Sequence, residues 1–225
     1  MVYRRPVGAM RESVKPQLAS WERAGHPSQV KLRRFLAHVD AIAGPVLATV
    51  SGRVAAELIV GFSDGVATID GGHDLDNYLF PVTQRLGPER VAAIFGRKIH
   101  GPSSLAVGRA EPDLAAATPQ FSTRMAGSYE REEWKQELHD RLAVQAATID
   151  PGPVGLKIAL TTGPARNWAR LWKPLIDAFG PVLGEHPTLP FHPDDDRIVS
   201  LGLHHTVDTG IGHDVIIDAW WTACS

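Results

Sequence analysis

The chain of 225 residues is 44% hydrophobic and 21% charged, with 21 Gly and 17 Pro, a composition that excludes wholesale disorder and collagen-like repeats. A formal net charge of −2 and a single cysteine, Cys224, exclude an internal disulfide framework and a cysteine-rich zinc site. No run approaches the ~18 consecutive apolar residues of a membrane helix, no apolar stretch follows Arg4 and Arg5, and a cytoplasmic protein without membrane or secretory segments is expected.

Residues 1–36 carry Arg4, Arg5, Arg11, Lys15, Arg23, Lys31, Arg33 and Arg34 against Glu12 and Glu22, a local charge of +6 set against −8 for the remainder. A basic, helical N-terminal arm is expected there. Its Arg4, Arg5, Arg11, Lys31, Arg33 and Arg34 suit a phosphate backbone, although a solvated helix face accounts for the same charges. Val30, Phe35, Leu36, Val39 and Ile42 follow helical spacing and predict a helix ending near Gly44–Pro45. A strand follows at 54–62, then a turn-rich stretch and a helix over 74–87. Two more strands are expected at 91–100 and 105–109. Residues 111–127, polar and containing Pro112 and Pro119, read as a linker.

The order of elements then begins again. Ser128 is placed to cap a helix with an acidic first turn and with Trp134, Leu138 and Leu142 on one face. A strand at 154–162, a helix at 167–179 and two strands at 197–205 and 214–221 complete the chain. Pro81 to Pro88 aligns without a gap on Pro174 to Pro181, each a helix with proline in its first turn and a Gly-Pro exit. The expected fold is therefore α/β (α+β): a tandem pseudo-repeat of helix-strand-helix-strand-strand units, with mixed sheets packed against helices. The units divide as arm 1–36, first repeat 37–112, linker 113–127 and second repeat 128–225. A single domain without internal symmetry is the alternative.

Two acidic motifs carry the candidate chemistry. Asp74-Leu75-Asp76-Asn77 stands before the first short helix, where carboxylates at i and i+2 are able to converge on a hard cation and Asn77 adds a neutral oxygen. Helix capping explains the same residues without a metal. Asp194-Asp195-Asp196 leads into a strand, and is either a site or an exposed acidic turn. Lys173 opens the second short helix, where it is able to contact a phosphate. His204 and His205, adjacent in a strand, point to opposite faces. No HExxH spacing supports a zinc site from His192, His204 and His213, and nucleotide-binding and nucleophile-elbow motifs are absent.

The two motifs, in this order, resemble those of the RusA-like Holliday junction resolvases. Asp74 to Pro81 is similar to that family's Asp-x-Asp-Asn helix start, with Phe80 where its lysine is expected. Lys173 to Gly180 and Asp195 to Val199 resemble its helix and strand motifs, while Asn167-Trp168-Ala169-Arg170 replaces the Asp-x-Asp-Asn. Each half keeps what the other lacks. The resemblance implies an endonuclease acting on branched or structured DNA with Mg2+ or Mn2+, arranged as a pseudo-dimer within one chain or as a homodimer. It implies metal ligation by Asp74, Asp76, Asn77, Asp195 and Asp196, charge stabilisation by Lys173, and backbone contacts from the arm. A catalytically inactive module binding nucleic acid or protein, and a metal-dependent hydrolase of a small substrate, are the alternatives.

Overall fold

Runs of β-branched and small residues such as Val54–Phe62 and Val154–Thr162 are too short and too evenly apolar for amphipathic helices, and each forms a strand with one face or both withdrawn from water. The computed structural model describes residues 1–6, 11–20, 22–23, 25–69 and 71–224. In chain order its elements are β1 (Arg11–Ser13), α1 (Pro27–Thr49), β2 (Val54–Phe62), α2 (Leu75–Leu86), β3 (Val91–His100), β4 (Ser104–Arg109) and β5 (Phe121–Met125). There follow α3 (Glu132–Gln145), β6 (Val154–Thr162), a 3-10 turn (Trp168–Leu171), α4 (Trp172–Asp177), α5 (Gly180–Leu183), a second 3-10 turn (Asp195–Arg197), β7 (Ile198–Val207) and β8 (Val215–Ala223).

The fold is mixed α/β, and the described strands form one eight-stranded sheet in the order β1-β4-β2-β3-β7-β6-β8-β5. Within it β2 runs parallel to β3 and β6 parallel to β7, and every other pairing is antiparallel. Outward from the central β3–β7 pair, both sides follow the same sequence of pairings. A register irregularity recurs at Val54/Ala55 in β2 and at Val154/Gly155 in β6.

Helices cover one face of this sheet. Leu32, Phe35, Val39 and Ala43 form the buried stripe of α1, and Leu75, Leu79, Val82 and Leu86 that of α2. Gly96 lies directly beneath α2: a Cβ there would stand 3.2 Å from Leu75 and Leu79 methyl carbons. Both acidic motifs depend on that close approach, because α2 carries the first of them. Pro81 sits inside α2 and has no N–H to offer the carbonyl of Asn77 one turn back. The Ala19 N–H supplies that bond at 2.8 Å, docking the N-terminal segment beside the helix start.

Several expectations are corrected. The 1–36 stretch is not a helical arm: it contains strand β1, and α1 begins only at Pro27 and continues past residue 36 into the core. Pro45 does not end α1, since it removes one helical bond near the last turn while Val50 N–H still reaches the Val46 carbonyl at 2.9 Å. Residues 113–127 are more than a linker, because β5 within them pairs with β8 as a sheet edge. One continuous hydrophobic core runs under both halves. The helix expected over 167–179 is broken into a 3-10 turn and α4, with α5 beyond, where Pro174 and Gly180-Pro181 interrupt the backbone ladder. Arg131, not Ser128, is the N-cap of α3; Ser128 Oγ instead accepts from Glu130 N–H.

On the face opposite the helices, Glu57 of β2 is 2% exposed and meets three guanidinium groups, those of Arg5, Arg11 and Arg97, the last at 3.0 Å. Burial favours the neutral acid, but these arginines outweigh it and hold the Glu57 carboxyl below its ordinary range. The cluster ties the N-terminal residues across the sheet. Glu57→Ala leaves three arginines that reach water, so the cost is that of the lost charge-assisted bonds, about 1.5–3 kcal/mol. A fall in melting temperature of roughly 5 °C is expected in thermal denaturation, whereas a change below about 2 °C would contradict this role.

Candidate metal centre

Parallel strands β2 and β3 end at the same edge of the sheet, and helix α2, returning over them, begins there. Strand β7, antiparallel to β3, starts at that edge, since Arg97 pairs with Ser200. The loop before α2 and the turn before β7 consequently meet, although their acids lie more than a hundred positions apart in sequence. Carboxylate oxygens of Asp74, Asp76 and Asp195 all lie within 4.8 Å of one another, and among the described residues this is the one group of three or more such side chains with spacing suited to a metal.

Helix capping does not account for these residues. Asp74 is the N-cap of α2 but makes no side-chain cap bond; its carboxylate accepts instead from Asn77 Nδ2 at 3.1 Å. Asp76 is 5% exposed. Burial, reinforced by the charge of Asp195, pushes the Asp74 carboxyl up to about 7. For Asp76 burial again dominates and raises it to about 6 against the pull of Lys173. Both are carboxylates short of positive charge.

The second motif divides its work. Asp195 faces the cluster and accepts from Lys173 Nζ at 3.0 Å. Asp196, expected as a ligand, turns toward the preceding loop and accepts from the Gly72 and His73 N–H groups at 2.9 and 3.1 Å. Although burial opposes ionisation, those bonds keep the Asp196 carboxyl below its ordinary value. It positions the approach to Asp74. Arg197, buried, donates to the carbonyls of Gly152, Leu183 and Asp150 and so anchors the turn that presents Asp195.

Lys173 bridges Asp195 and Asp177, the latter at 3.1 Å. Burial works against its charge, yet Asp195, Asp76 and Asp177 outweigh burial and raise its pKa. Asp177 and Lys98 were not singled out from the sequence. Lys98, 6% exposed on β3, donates to the Asp196 carbonyl at 2.8 Å, and burial lowers its pKa despite the surrounding acids. Their signal was present only as a charged residue at an inward position of an apolar strand, and as an acid one turn beyond Lys173.

The basic residues of the N-terminal stretch separate into two groups. Arg5 and Arg11 are committed to Glu57, and Arg4 stands 3.8 Å from Asp113. Lys31, Arg33 and Arg34 are exposed on α1. His204 and His205 do point to opposite faces, His204 edge-on to Phe95 and His205 stacked on Trp168. His192, His204 and His213 form no cluster among the described residues.

The donor set fits a hard divalent cation. Oxygens bound to one magnesium at about 2.1 Å stand about 3.0 Å apart as neighbours and about 4.2 Å apart across the ion, so at most one of the three pairs spans the ion and the other two close to about 3.0 Å from separations of up to 4.8 Å. Four acids, Asp74, Asp76, Asp177 and Asp195, otherwise gather around the ammonium of Lys173, with Lys98 as a second cation near three of them. No described helix is long and apolar enough to cross a membrane. Comparison with protein-family models, curated proteins and solved structures finds no match for the chain.

A raised folded-state pKa binds protons more tightly than the unfolded chain does, so the stability it contributes is complete at acid pH and is lost as pH rises through the folded value. Buried His204 and His205, held down to about 3, act in the opposite direction over the same range, so the acids' contribution is read as a difference. The melting temperature of metal-free Asp76→Asn relative to the unsubstituted chain is expected to be higher at pH 8 than at pH 5. Millimolar Mg2+ should restore several degrees at pH 8 and little at pH 5. Asp76→Asn should raise the metal-free melting temperature at pH 8 and abolish the Mg2+ response. A Mg2+ response that survives in Asp76→Asn would contradict the assignment.

Proposed function

We propose that the chain is a magnesium- or manganese-dependent endonuclease of branched or structured DNA, akin to the RusA-like resolvases it resembles. The observation behind this reading is the meeting of Asp74 and Asp76 with Asp195 across the central strand pair. Asp74, Asp76 and Asp195 would hold the ion, which when bound polarises a phosphate and supplies hydroxide at neutral pH. The chain's own contribution is to align these oxygens: Asn77 fixes Asp74, Asp196 clamps the loop before it, and Arg197 anchors the turn carrying Asp195. Lys173 Nζ places a positive charge where a phosphodiester gains negative charge during cleavage. Lys31, Arg33 and Arg34 remain available to the DNA backbone, and neither Arg5 nor Arg11 takes that role.

The matching pairings outward from β3 and β7 bear on stoichiometry. Val91 pairs with Val54 as Ile198 pairs with Val154, which sets Asp195 opposite Pro88. The Pro81/Pro174 alignment sets Asp74 and Asp76 opposite Asn167 and Ala169. At that counterpart position Trp168 donates to the Pro88 carbonyl at 2.8 Å and stacks on His205. Each chain then holds one competent cluster, and paired incisions in a symmetric junction take a second copy.

A second reading, a module that binds nucleic acid without cutting it, has the Lys173–Asp195 ion pair in its favour, because an ammonium already neutralises one expected ligand. Incision of a synthetic four-way junction separates the two. Cleavage with Mg2+ and not with EDTA, reduced at least 100-fold in Asp76→Asn and in Lys173→Ala, is expected. Intact junction, duplex and single-stranded DNA with either Mg2+ or Mn2+, together with salt-sensitive binding indifferent to divalent ions, would favour the second.

A further inference from the structure

The sheet face turned away from the helices has a cavity of its own, about 630 Å3, on the opposite side from the acidic cluster. Its floor follows from the parallel register of β6 and β7, which sets Gly155 beside Ser200 and Lys157 beside Gly202. Glycines hold two diagonal corners of this four-residue patch, and a hydroxyl and an ammonium hold the other two. We propose that the patch binds the phosphoryl group of a phosphate monoester, whose organic part occupies the rest of the cavity. The inference does not draw on the nuclease reading.

The cavity is lined by Arg4, Arg5 and Lys157 against one acid, Asp113. Lys157 makes no hydrogen bond or ion pair among the described residues. Its ammonium stands 5.3 Å from the centre of the Trp220 ring, a contact that steadies the charge without neutralising it. Glu57 lies in the same transverse row but three strand spacings away, about 14 Å, and already has its three arginines. Ser200 Oγ accepts from Arg5 at 3.0 Å, which leaves its own O–H proton to donate and strengthens it as a donor.

Neither glycine is demanded by the backbone. A Cβ on Gly202 would meet only side chains, those of His204 and Phe95 at 3.4 Å, and one on Gly155 the Thr222 side chain at 3.3 Å. On Gly61, by contrast, a Cβ would stand 2.0 Å from the Gly101 carbonyl oxygen. The register irregularity at Gly155 needs no glycine either, since its match in β2 carries Ala55. Glycine weakens a strand interior, and close approach of a ligand is a use that offsets the loss. Behind Gly202, His204 is buried and neutral, its pKa lowered to about 3 by burial. Its Nδ1 accepts from the Tyr3 N–H at 3.1 Å, so the ring proton is on Nε2, which has no acceptor among the described residues. A tetrahedral dianion has enough oxygens to take the ammonium and the hydroxyl together and leave acceptors toward that imidazole. The volume, within the roughly 300–1,000 Å3 of small-molecule sites, exceeds what inorganic phosphate fills.

Isothermal titration of the full chain in EDTA with monobutyl phosphate, inorganic phosphate and butyrate tests this. Monobutyl phosphate is expected to bind about tenfold more tightly than either of the others. Lys157→Ala should weaken it about tenfold, and Gly202→Ala, whose methyl group occupies the floor, by a similar factor. Should Gly202→Ala fail to fold, Lys157→Ala and Ser200→Ala, both at half-buried positions, carry the test. No binding of the ester, butyrate binding as tightly as the ester, or an affinity unmoved by Lys157→Ala would overturn the proposal. Displacement of the ester by 5′-phosphorylated tetrathymidylate and not by its unphosphorylated form would support the site and make a nucleic-acid end the source of the phosphate. Displacement by neither would support it with a small ester as the source, and displacement by both alike would overturn it.

Discussion

The antiparallel ladder between β3 and β7 decides whether this chain has a site at all. Neither acidic motif holds enough oxygen donors alone: Asp74 and Asp76 are two, and of the second group Asp195 completes the cluster while Asp196 reaches Asp74 and the loop before it. Five register pairs, Ala93–His204 through Arg97–Ser200, fix the start of β7 beside the end of β3. A one-residue slip in that ladder would exchange the two faces of β7 and displace the turn that carries Asp195. The neighbouring constraints serve the same meeting. Gly96 lets α2 settle close to the sheet, and Arg197 holds the turn. Lys98 spans from β3 to the backbone of Asp196.

Electrostatics gives this geometry its chemical bias. A cluster of acids on a surface is screened and means little. Here burial removes much of that screening, and the carboxyls of Asp74 and Asp76 sit well above their ordinary pKa. The opposite face of the sheet carries the contrasting case. Glu57 is equally buried, yet three arginines surround it and its carboxyl is held low. One buried acid has three guanidinium groups to itself, while Asp74, Asp76, Asp177 and Asp195 share Lys173 and the more distant Lys98. That difference separates a structural carboxylate from one built to receive a cation.

Much of this was readable in the sequence, and the failures have definite causes. The Asp74-x-Asp76-Asn77 group stood out because acids spaced at i and i+2 before a helix are short-range information, as are the Pro and Gly that bound α2. The order of strands and helices followed from apolar periodicity. What a one-dimensional charge count could not resolve was partnership. Arg5 and Arg11 looked like backbone-binding residues, and the single Glu57 inside the apolar run of β2 was the hint that they were spoken for. Asp196 and Asp195 are indistinguishable by type, and only the course of the Gly72–His73 backbone assigns them different work. Strand β5 escaped notice because an edge strand with exposed Ser122 and Arg124 and a nearby Pro119 has the composition of a loop.

The central claim is that Asp74, Asp76 and Asp195 share one divalent ion. Anomalous scattering from a crystal of the chain grown with Mn2+ addresses it directly. The account predicts a single manganese peak about 2.1–2.2 Å from one oxygen of each of the three carboxylates, with Lys173 drawn away from Asp195. Carboxylates left facing Lys173 with no manganese between them, at an ion concentration that saturates other hard-oxygen sites, would contradict it.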